Sequence, residues 1–179
     1  MLLSLAVAAG VLLQTFNADL PDYDRLAQYE PPVMTRIHAA DGQLMAEHAR
    51  ERRLYLPIQA VPDLLKAAFL SAEDKNFYEH DGLDIAGILR AAAVNISNSG
   101  SGKRPIGAST ITQQVAKNFL LSNEVSYERK IKEALLALRI EQAYSKDKIF
   151  ELYLNEIYLG LGSYGIAAAA LNYFDKPVN

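Results

Sequence analysis

The helical spacing of apolar residues in the last two thirds of the chain is the feature that most limits its fold. From about Pro62 onward, apolar residues recur at intervals of three and four, as they do along one face of an α-helix. The sequence therefore predicts a mostly α-helical domain. The predicted helices begin near Pro62 and then cover residues 85–95, 106–121, 127–144, 146–159 and 164–174.

The composition excludes several classes of protein. The 179 residues include 18 basic and 21 acidic side chains, and half of them are apolar, so the chain has neither the charge imbalance nor the polarity of a disordered protein. A net charge of −3 argues against a general nucleic-acid binder. With no cysteine and only 3 histidines, a disulfide framework, a thiolate metal site and a histidine zinc site are not expected. Any chemistry must depend on carboxylates, amides and amines.

The first 61 residues differ from the helical part. Residues 1–16 are almost all apolar and uncharged, but about 20 such residues are needed to cross a bilayer. We interpret this run as the trailing part of a membrane anchor whose beginning is missing; a short signal-like or buried helix is the alternative. Residues 17–61 indicate a polar linker followed by a β-hairpin, with strands at 33–37 and 44–56 around an Asp41-Gly42 turn.

The first segment that could carry chemistry is EDKNFYEHDG, residues 73–82. If the preceding helix continues through it, Glu73, Phe77 and His80 share one face, at positions i, i+4 and i+7. A carboxylate beside an aromatic ring can be desolvated, which raises its pKa toward the range that a general base needs. The alternative is a solvated helix end at which Glu73 and Asp74 are ordinary surface charges.

The second segment is GASTITQQVAKN, residues 107–118. On a helix, Ile111, Val115 and Phe119 form one apolar line and the polar side chains gather opposite. Uncharged hydrogen-bonding groups with a single cation suit sugar hydroxyls and a phosphate, whereas a polar outer face of a core helix is the alternative. The polar side chains are Thr110, Gln113, Gln114 and Lys117.

The third segment is RKIKE, in which Arg129 and Lys130 lie four and three residues before Glu133. This spacing predicts an ion pair on a helix surface. The alternative is an anion site, in which a guanidinium and an ammonium hold a diphosphate beside a carboxylate. The fourth segment, KIFELYLNEIYLG at residues 148–160, has the periodicity of packing residues, and we interpret most of it as scaffold.

In order and spacing, these four segments resemble the signature motifs of the family 51 glycosyltransferases. These are the glycan-polymerising domains of class A penicillin-binding proteins, here of the 1A type, and of monofunctional peptidoglycan glycosyltransferases. The resemblance runs from about Pro62 to Lys176. It implies a lysozyme-like helical domain that starts at residue 62 and continues past residue 179. It also implies a membrane anchor before this domain and a penicillin-binding transpeptidase domain in the parent protein.

The resemblance further implies an activity. Its substrate would be lipid II, polymerised with inversion into β-1,4-linked glycan strands with release of undecaprenyl diphosphate. Glu73 would be the base that deprotonates the 4-hydroxyl of the acceptor sugar. Glu133 would assist departure of the diphosphate, directly or through a bound divalent cation such as Mg²⁺, and no organic cofactor is implied.

The same resemblance assigns substrate-binding roles to a further set of side chains. Cationic residues would neutralise the diphosphate, polar ones would hold sugar or phosphate oxygens, and an aromatic residue and a histidine would shape the cleft around Glu73. The chain departs from many members at residues 122–126, where an additional arginine is absent. The assigned residues are Asp74, Phe77, His80, Ser109, Thr110, Gln113, Gln114, Lys117, Asn118, Arg129 and Lys130.

The implied location is the inner (plasma) membrane, with a single-pass anchor and the catalytic domain on the periplasmic side. Expected partners are lipid II, the growing glycan strand, the membrane and other cell-wall synthesis proteins, but not nucleic acid. Two other functions remain open: a lysozyme-like lytic hydrolase, and a membrane-tethered interaction module with no catalysis. The cations beside Glu133 favour the polymerase, because hydrolysis of a neutral glycan leaves no diphosphate to stabilise.

Overall fold

The computed structural model describes residues 20–26, 35–48, 52–122, 124 and 126–178. Most of this part is helical, which confirms the predicted mostly α class. Short 3₁₀ turns occur at Tyr23–Leu26 and Ile58–Ala60. The helices of the described part are α1 (Asp63–Glu73), α2 (Ile85–Ser97), α3 (Ile111–Leu120), α4 (Tyr127–Ala143), α5 (Lys146–Glu156) and α6 (Ile166–Phe174).

Two small sheets accompany the helices. Strand β1 (Thr35–His38) pairs antiparallel with β2 (Leu44–His48), which confirms the predicted hairpin but ends its second strand before residue 56. Strand β3 (Arg52–Arg53) pairs in parallel with β4 (Ser163–Tyr164), a pairing that the sequence did not predict. Strands of two residues are too short to show an alternating pattern.

The core lies where α3 packs against α4 and α5. Ile111 and Val115 on α3 are almost fully buried, as the apolar line predicted, and Phe119 packs partly buried beside them. The middle of α5 is buried from Ile149 to Asn155. Each fully buried large aliphatic or aromatic side chain contributes about 1.5–3 kcal/mol, so these three helices form the rigid scaffold for the site.

Two helix boundaries differ from the predictions by five residues or more. Helix α1 ends at Glu73 because Asp74 leaves the helical conformation, with φ of −158°, and residues 74–82 form turns. The expected helical continuation to His80 is therefore wrong. Helix α3 begins at Ile111 rather than near residue 106, because Thr110 and Gln113 form a capping box there.

Two side chains of α5 fasten the chain segment that precedes α1. Glu151 accepts hydrogen bonds from the Tyr55 hydroxyl at 2.5 Å and from the Ile58 backbone N–H at 3.0 Å. The Asn155 side chain accepts from the Leu56 N–H at 2.7 Å and donates to the Leu56 carbonyl at 2.8 Å. We call this set of contacts the α5 clasp.

The clasp perturbs the titration of its acidic groups. Burial alone would raise the pKa of Glu151, but hydrogen bonds from Lys148, Tyr55 and the Ile58 N–H, together with the Lys148 charge, outweigh it, so the pKa is lowered. Burial and the hydrogen bond to Glu151 raise the pKa of Tyr55 to about 12. Glu151 is therefore held as a carboxylate and Tyr55 as a neutral donor at neutral pH.

Within the described ranges, no helix has both the length and the apolar character needed to cross a membrane. The anchor predicted at residues 1–16 lies outside the described residues.

Candidate active site

Glu73 is the last residue of α1, and its side chain is exposed. One carboxylate oxygen accepts a hydrogen bond from Gln114 Nε2, on α3, at 2.9 Å. Burial, and then the charge of Glu73, raise the pKa of Tyr153, a buried tyrosine of α5. Because α1 ends at Glu73, the helical spacing that would set Phe77 one turn beyond this carboxylate is absent.

Phe77 lies in the core instead of the cleft. Its side chain is 0% exposed, and its ring packs 5.7 Å from that of Phe150 and 6.3 Å from that of His80, between ring centroids. Phe77 was expected to shape the cleft around Glu73, and it can do so only from beneath the surface, because its ring has no exposed area. The ring instead fixes the turn that follows Glu73 to the interior of the domain.

Asp74 joins the end of α1 to the start of α3. Its side chain is buried and accepts a hydrogen bond from the Ile111 N–H at 3.0 Å. His80 Nε2 lies 3.0 Å from both carboxylate oxygens. These contacts fix Asp74, and with it the end of α1 that carries Glu73; a contact of Asp74 with substrate stays a prediction.

The start of α3 is fixed in a similar way. The Thr110 hydroxyl donates to the Gly82 carbonyl at 2.6 Å, and the Gln113 side chain accepts from the Thr110 N–H at 3.0 Å. Gly82 has φ of +96°, and a Cβ there would lie 2.9 Å from the Ala137 carbonyl oxygen, so only glycine fits this close approach. Thr110 and Gln113 are buried and both serve the helix cap, and their binding of substrate stays a prediction.

Glu133 forms the second charged centre. Its side chain is 3% exposed and accepts from Arg129 Nη1 at 2.8 Å and from Lys130 Nζ. Lys130 Nζ also donates to Ser109 Oγ at 2.7 Å. Arg129 Nε is buried and, among the residues that the structure describes, has no hydrogen-bond partner. The structure thus brings Ser109, Arg129, Lys130 and Glu133 together.

A polar cavity of about 460 Å³ lies between α3 and the end of α5. Three of its lining residues were predicted to bind substrate, and Gln114 links it to Glu73. The sequence did not predict that Tyr158 and Tyr164 line this cavity. Tyr158 belongs to the fourth segment, which was interpreted as scaffold, and Tyr164 lies four residues beyond its end. The centroids of the two rings are 5.1 Å apart. The cavity is lined by Gln114, Lys117, Asn118, Glu156, Ile157, Tyr158 and Tyr164.

In this structure both carboxylate oxygens of Glu133 contact cations of the protein, Arg129 and Lys130, so a divalent cation at Glu133 stays a prediction. Mg²⁺ requires several oxygen ligands in octahedral geometry. In the described parts of the chain, no group of three or more acidic or histidine side chains is arranged to hold a metal ion.

The site therefore contains two carboxylates on either side of the α3 N-terminus. Glu73 is exposed and contacts Gln114, whereas Glu133 is buried and contacts Lys130, which reaches Ser109. The first can accept a proton from a bound hydroxyl group. The second fixes two cations at a place where they can stabilise a developing anion.

Comparison with known families agrees with this geometry. Residues 41–179 match the family model described as "Transglycosylase". This match covers most of the chain, including every candidate site residue.

Curated relatives with high identity share one name, penicillin-binding protein 1A. The relative from Rickettsia bellii is 56% identical over 167 residues, which are 93% of this chain and 21% of that protein. The one from Rickettsia typhi is 54% identical over 99% of this chain and 22% of the relative. The one from Neisseria flavescens is 48% identical, again over 99% and 22%. The chain thus spans about a fifth of the length of the curated relatives that it matches.

Proposed function

Because the chain belongs to the transglycosylase family, we propose that it is a peptidoglycan glycosyltransferase of bacterial cell-wall synthesis. Its reaction polymerises lipid II into β-1,4-linked glycan strands and releases undecaprenyl diphosphate. The observation that carries this proposal is the pair of cations, Arg129 and Lys130, held against the buried carboxylate of Glu133.

Glu73 acts as the general base. It takes the proton from the 4-hydroxyl of the acceptor sugar while that oxygen forms a bond to the anomeric carbon of the donor. Its exposed position at the end of α1 leaves the carboxylate accessible to a hydroxyl group, and Gln114 Nε2 orients it through one hydrogen bond. Attack opposite the leaving group turns an α-linked donor into a β link.

The cations act on the leaving group. The bond from the anomeric carbon to the diphosphate oxygen breaks, and the electron pair stays with the diphosphate, whose negative charge grows. Arg129 and Lys130 stabilise that charge, and Lys117 in the polar cavity supplies a third cation. Glu133 holds Arg129 and Lys130 in place through its close contact with them, and it assists departure of the diphosphate directly or through a bound divalent cation. Ser109, Gln114 and Asn118 supply hydrogen bonds to sugar or phosphate oxygens, and His80 orients Asp74.

A lysozyme-like hydrolase is the competing function, because a helical domain with one glutamate beside a sugar cleft serves both reactions. Hydrolysis of a neutral glycan would release no diphosphate for these cations to neutralise. The buried, unpaired Arg129 Nε also favours an anionic ligand, since an unsatisfied buried donor is costly.

The test is incubation of the chain with fluorescent lipid II in detergent, with Glu73→Gln as the control. Glycan that a muramidase digests to disaccharides, formed by the wild type and not by the variant, is the expected result. Cleavage of preformed peptidoglycan without consumption of lipid II would support the hydrolase. If the folded chain catalysed neither reaction, the result would favour the interaction module.

The proposal extends to place and partners. The domain would work on the periplasmic side of the inner membrane, anchored by a single span, in contact with lipid II and the growing strand. The relatives' name includes penicillin binding, so the parent protein would also carry a transpeptidase. Other cell-wall synthesis proteins would be its partners. EDTA treatment distinguishes the two ways in which Glu133 can act: an unchanged rate supports its direct action through the cations, and loss of activity with recovery on adding Mg²⁺ supports a bound divalent cation.

A further inference from the structure

We infer that Glu141 is a positioning residue for Glu73: its buried carboxylate fixes both the turn after α1 and the start of α3, which together orient the base. This inference rests on the proposed function. Glu141 lies on α4, outside the four motifs that carry the family resemblance, and it does not contact Glu73 directly.

The contacts of Glu141 explain why a carboxylate is needed there. The side chain is 6% exposed, and Oε1 accepts from Thr112 Oγ1 at 2.5 Å and from Lys146 Nζ at 2.7 Å. Lys146 is itself only 20% exposed. A buried ammonium requires a counter-charge, and Glu141 supplies it at the point where α3, α4 and α5 meet.

One route from Glu141 to the base passes through Lys146. The Lys146 ammonium donates to the His80 backbone carbonyl at 2.5 Å and lies 4.4 Å from the centre of the Phe77 ring. His80 in turn contacts the buried carboxylate of Asp74, the residue that follows Glu73. Lys146 thus holds the turn of residues 74–82 against α5, and Glu141 holds Lys146.

The other route passes through Thr112 in the first turn of α3. Two residues further along this helix, Gln114 donates the hydrogen bond that orients the Glu73 carboxylate. The same helix presents the Ile111 N–H to Asp74. A shift of α3 relative to α4 would therefore move both groups that position the base.

The expected effect follows from these two routes. Glu141→Leu removes the acceptor of Thr112 and the counter-charge of Lys146, which frees the turn and the start of α3. A displacement of about 1 Å at a catalytic group can lower a rate on the order of 10²-fold, so kcat should fall by at least about tenfold. The KM for lipid II should stay within about twofold, because the two residues that Glu141 contacts, Thr112 and Lys146, are not placed against the substrate.

The experiment compares Glu141→Leu with Glu141→Gln, whose amide oxygen can still accept from both Thr112 and Lys146. The Gln variant keeps both acceptor contacts but loses the counter-charge of Lys146, so its kcat should lie between those of the wild type and Glu141→Leu. Glu128→Leu is the matched control, since Glu128 forms an exposed ion pair with Lys132 at 2.9 Å on the same helix. Hydrogen exchange of residues 74–82 is measured on each variant, and it should accelerate only in Glu141→Leu.

Each outcome decides the inference. Unchanged kcat, or unchanged exchange in the turn, for a folded Glu141→Leu variant would overturn it, as would equal losses for Leu and Gln. If Glu141→Leu does not fold, Thr112→Val removes one hydrogen bond alone and should lower kcat. Thr112→Ser keeps the hydroxyl group and should restore kcat. A Thr112→Val variant with the kcat of the wild type would overturn the inference. A wild type that does not polymerise lipid II would refute the proposed function, while the exchange data would still decide whether Glu141 holds the turn.

Discussion

The two glutamates of the site, Glu73 and Glu133, have the same side chain in opposite surroundings. Glu73 ends α1 with an exposed carboxylate and the Gln114 side chain as its hydrogen-bond donor. Glu133 lies in the middle of α4, is 3% exposed and contacts two cations. A carboxylate that must accept a proton needs access to the reacting hydroxyl, whereas one that organises cations needs enclosure. The environment, rather than the residue type, separates the two roles.

The largest expected effect comes from Glu73→Gln. The amide keeps the shape and the exposure of the side chain but cannot accept a proton. We expect kcat to fall by about 10²–10⁴-fold, the contribution of a general base, with an unchanged free energy of unfolding. Lipid II polymerisation and urea denaturation measure the two quantities. If the variant kept a tenth of the wild-type activity, Glu73 would not be the general base.

The second-largest effect is expected at Glu133, where a substitution should lower the free energy of unfolding as well as the activity. Glu133→Ala leaves the Arg129 and Lys130 cations without their partner, and breaking a buried pair costs about 3 kcal/mol. We expect the free energy of unfolding to fall by that amount and the activity to fall as well. A variant with full stability and no activity would instead give Glu133 a direct chemical role like that of Glu73.

A smaller effect is expected at Gln114, the residue of α3 that orients the Glu73 carboxylate. Gln114→Leu removes the hydrogen bond to Glu73 but leaves the helix and its cap intact. A hydrogen bond to a charged group contributes about 1.5–3 kcal/mol when buried and less at an exposed site, so we expect kcat to fall about tenfold or less. Glu128→Leu, which removes an exposed ion pair on α4, is the comparison variant for kcat.

The smallest effect concerns Glu151, a glutamate with only a structural role. Its pKa is lowered in the folded protein, so the stability from its ionised form is present above about pH 4.5 and is lost as the pH falls through the folded pKa. Glu151→Gln should be about 1 kcal/mol less stable at pH 7 and should lose less stability below pH 4.5.

Thermal unfolding from pH 3 to pH 7 measures this difference, and Asp63→Asn is its control. Asp63 pairs with Lys66 on the surface of α1, where an ion pair contributes little. Parallel curves for the wild type and Glu151→Gln would show that the α5 clasp does not depend on the charge.

Local signals explain which parts of the structure could be predicted. The spacing of Arg129 and Lys130 before Glu133 predicted their contact, because positions three and four apart meet on a helix. The Asp41-Gly42 turn similarly predicted the hairpin. Each of these features depends on residues that are close in sequence.

The errors arose where distant residues decide the structure. The sequence indicated a helix through His80, but the Asp74 side chain bonds to the Ile111 N–H, 37 residues away, and α1 ends. That ending sends Phe77 into the core and leaves Glu73 exposed. No local pattern contains this information, because a capping contact of this kind is made only when the domain is assembled.

The α5 clasp also sets an order of events during synthesis of the chain. The Leu56 N–H cannot form its hydrogen bond until Asn155, 99 residues later in the sequence, has been synthesised. At about 5–20 residues per second, the ribosome needs roughly 5–20 s to make that stretch. Until then the segment before α1 exposes backbone groups and apolar side chains to other partners, so a chaperone that binds this segment early would protect the nascent chain during that interval.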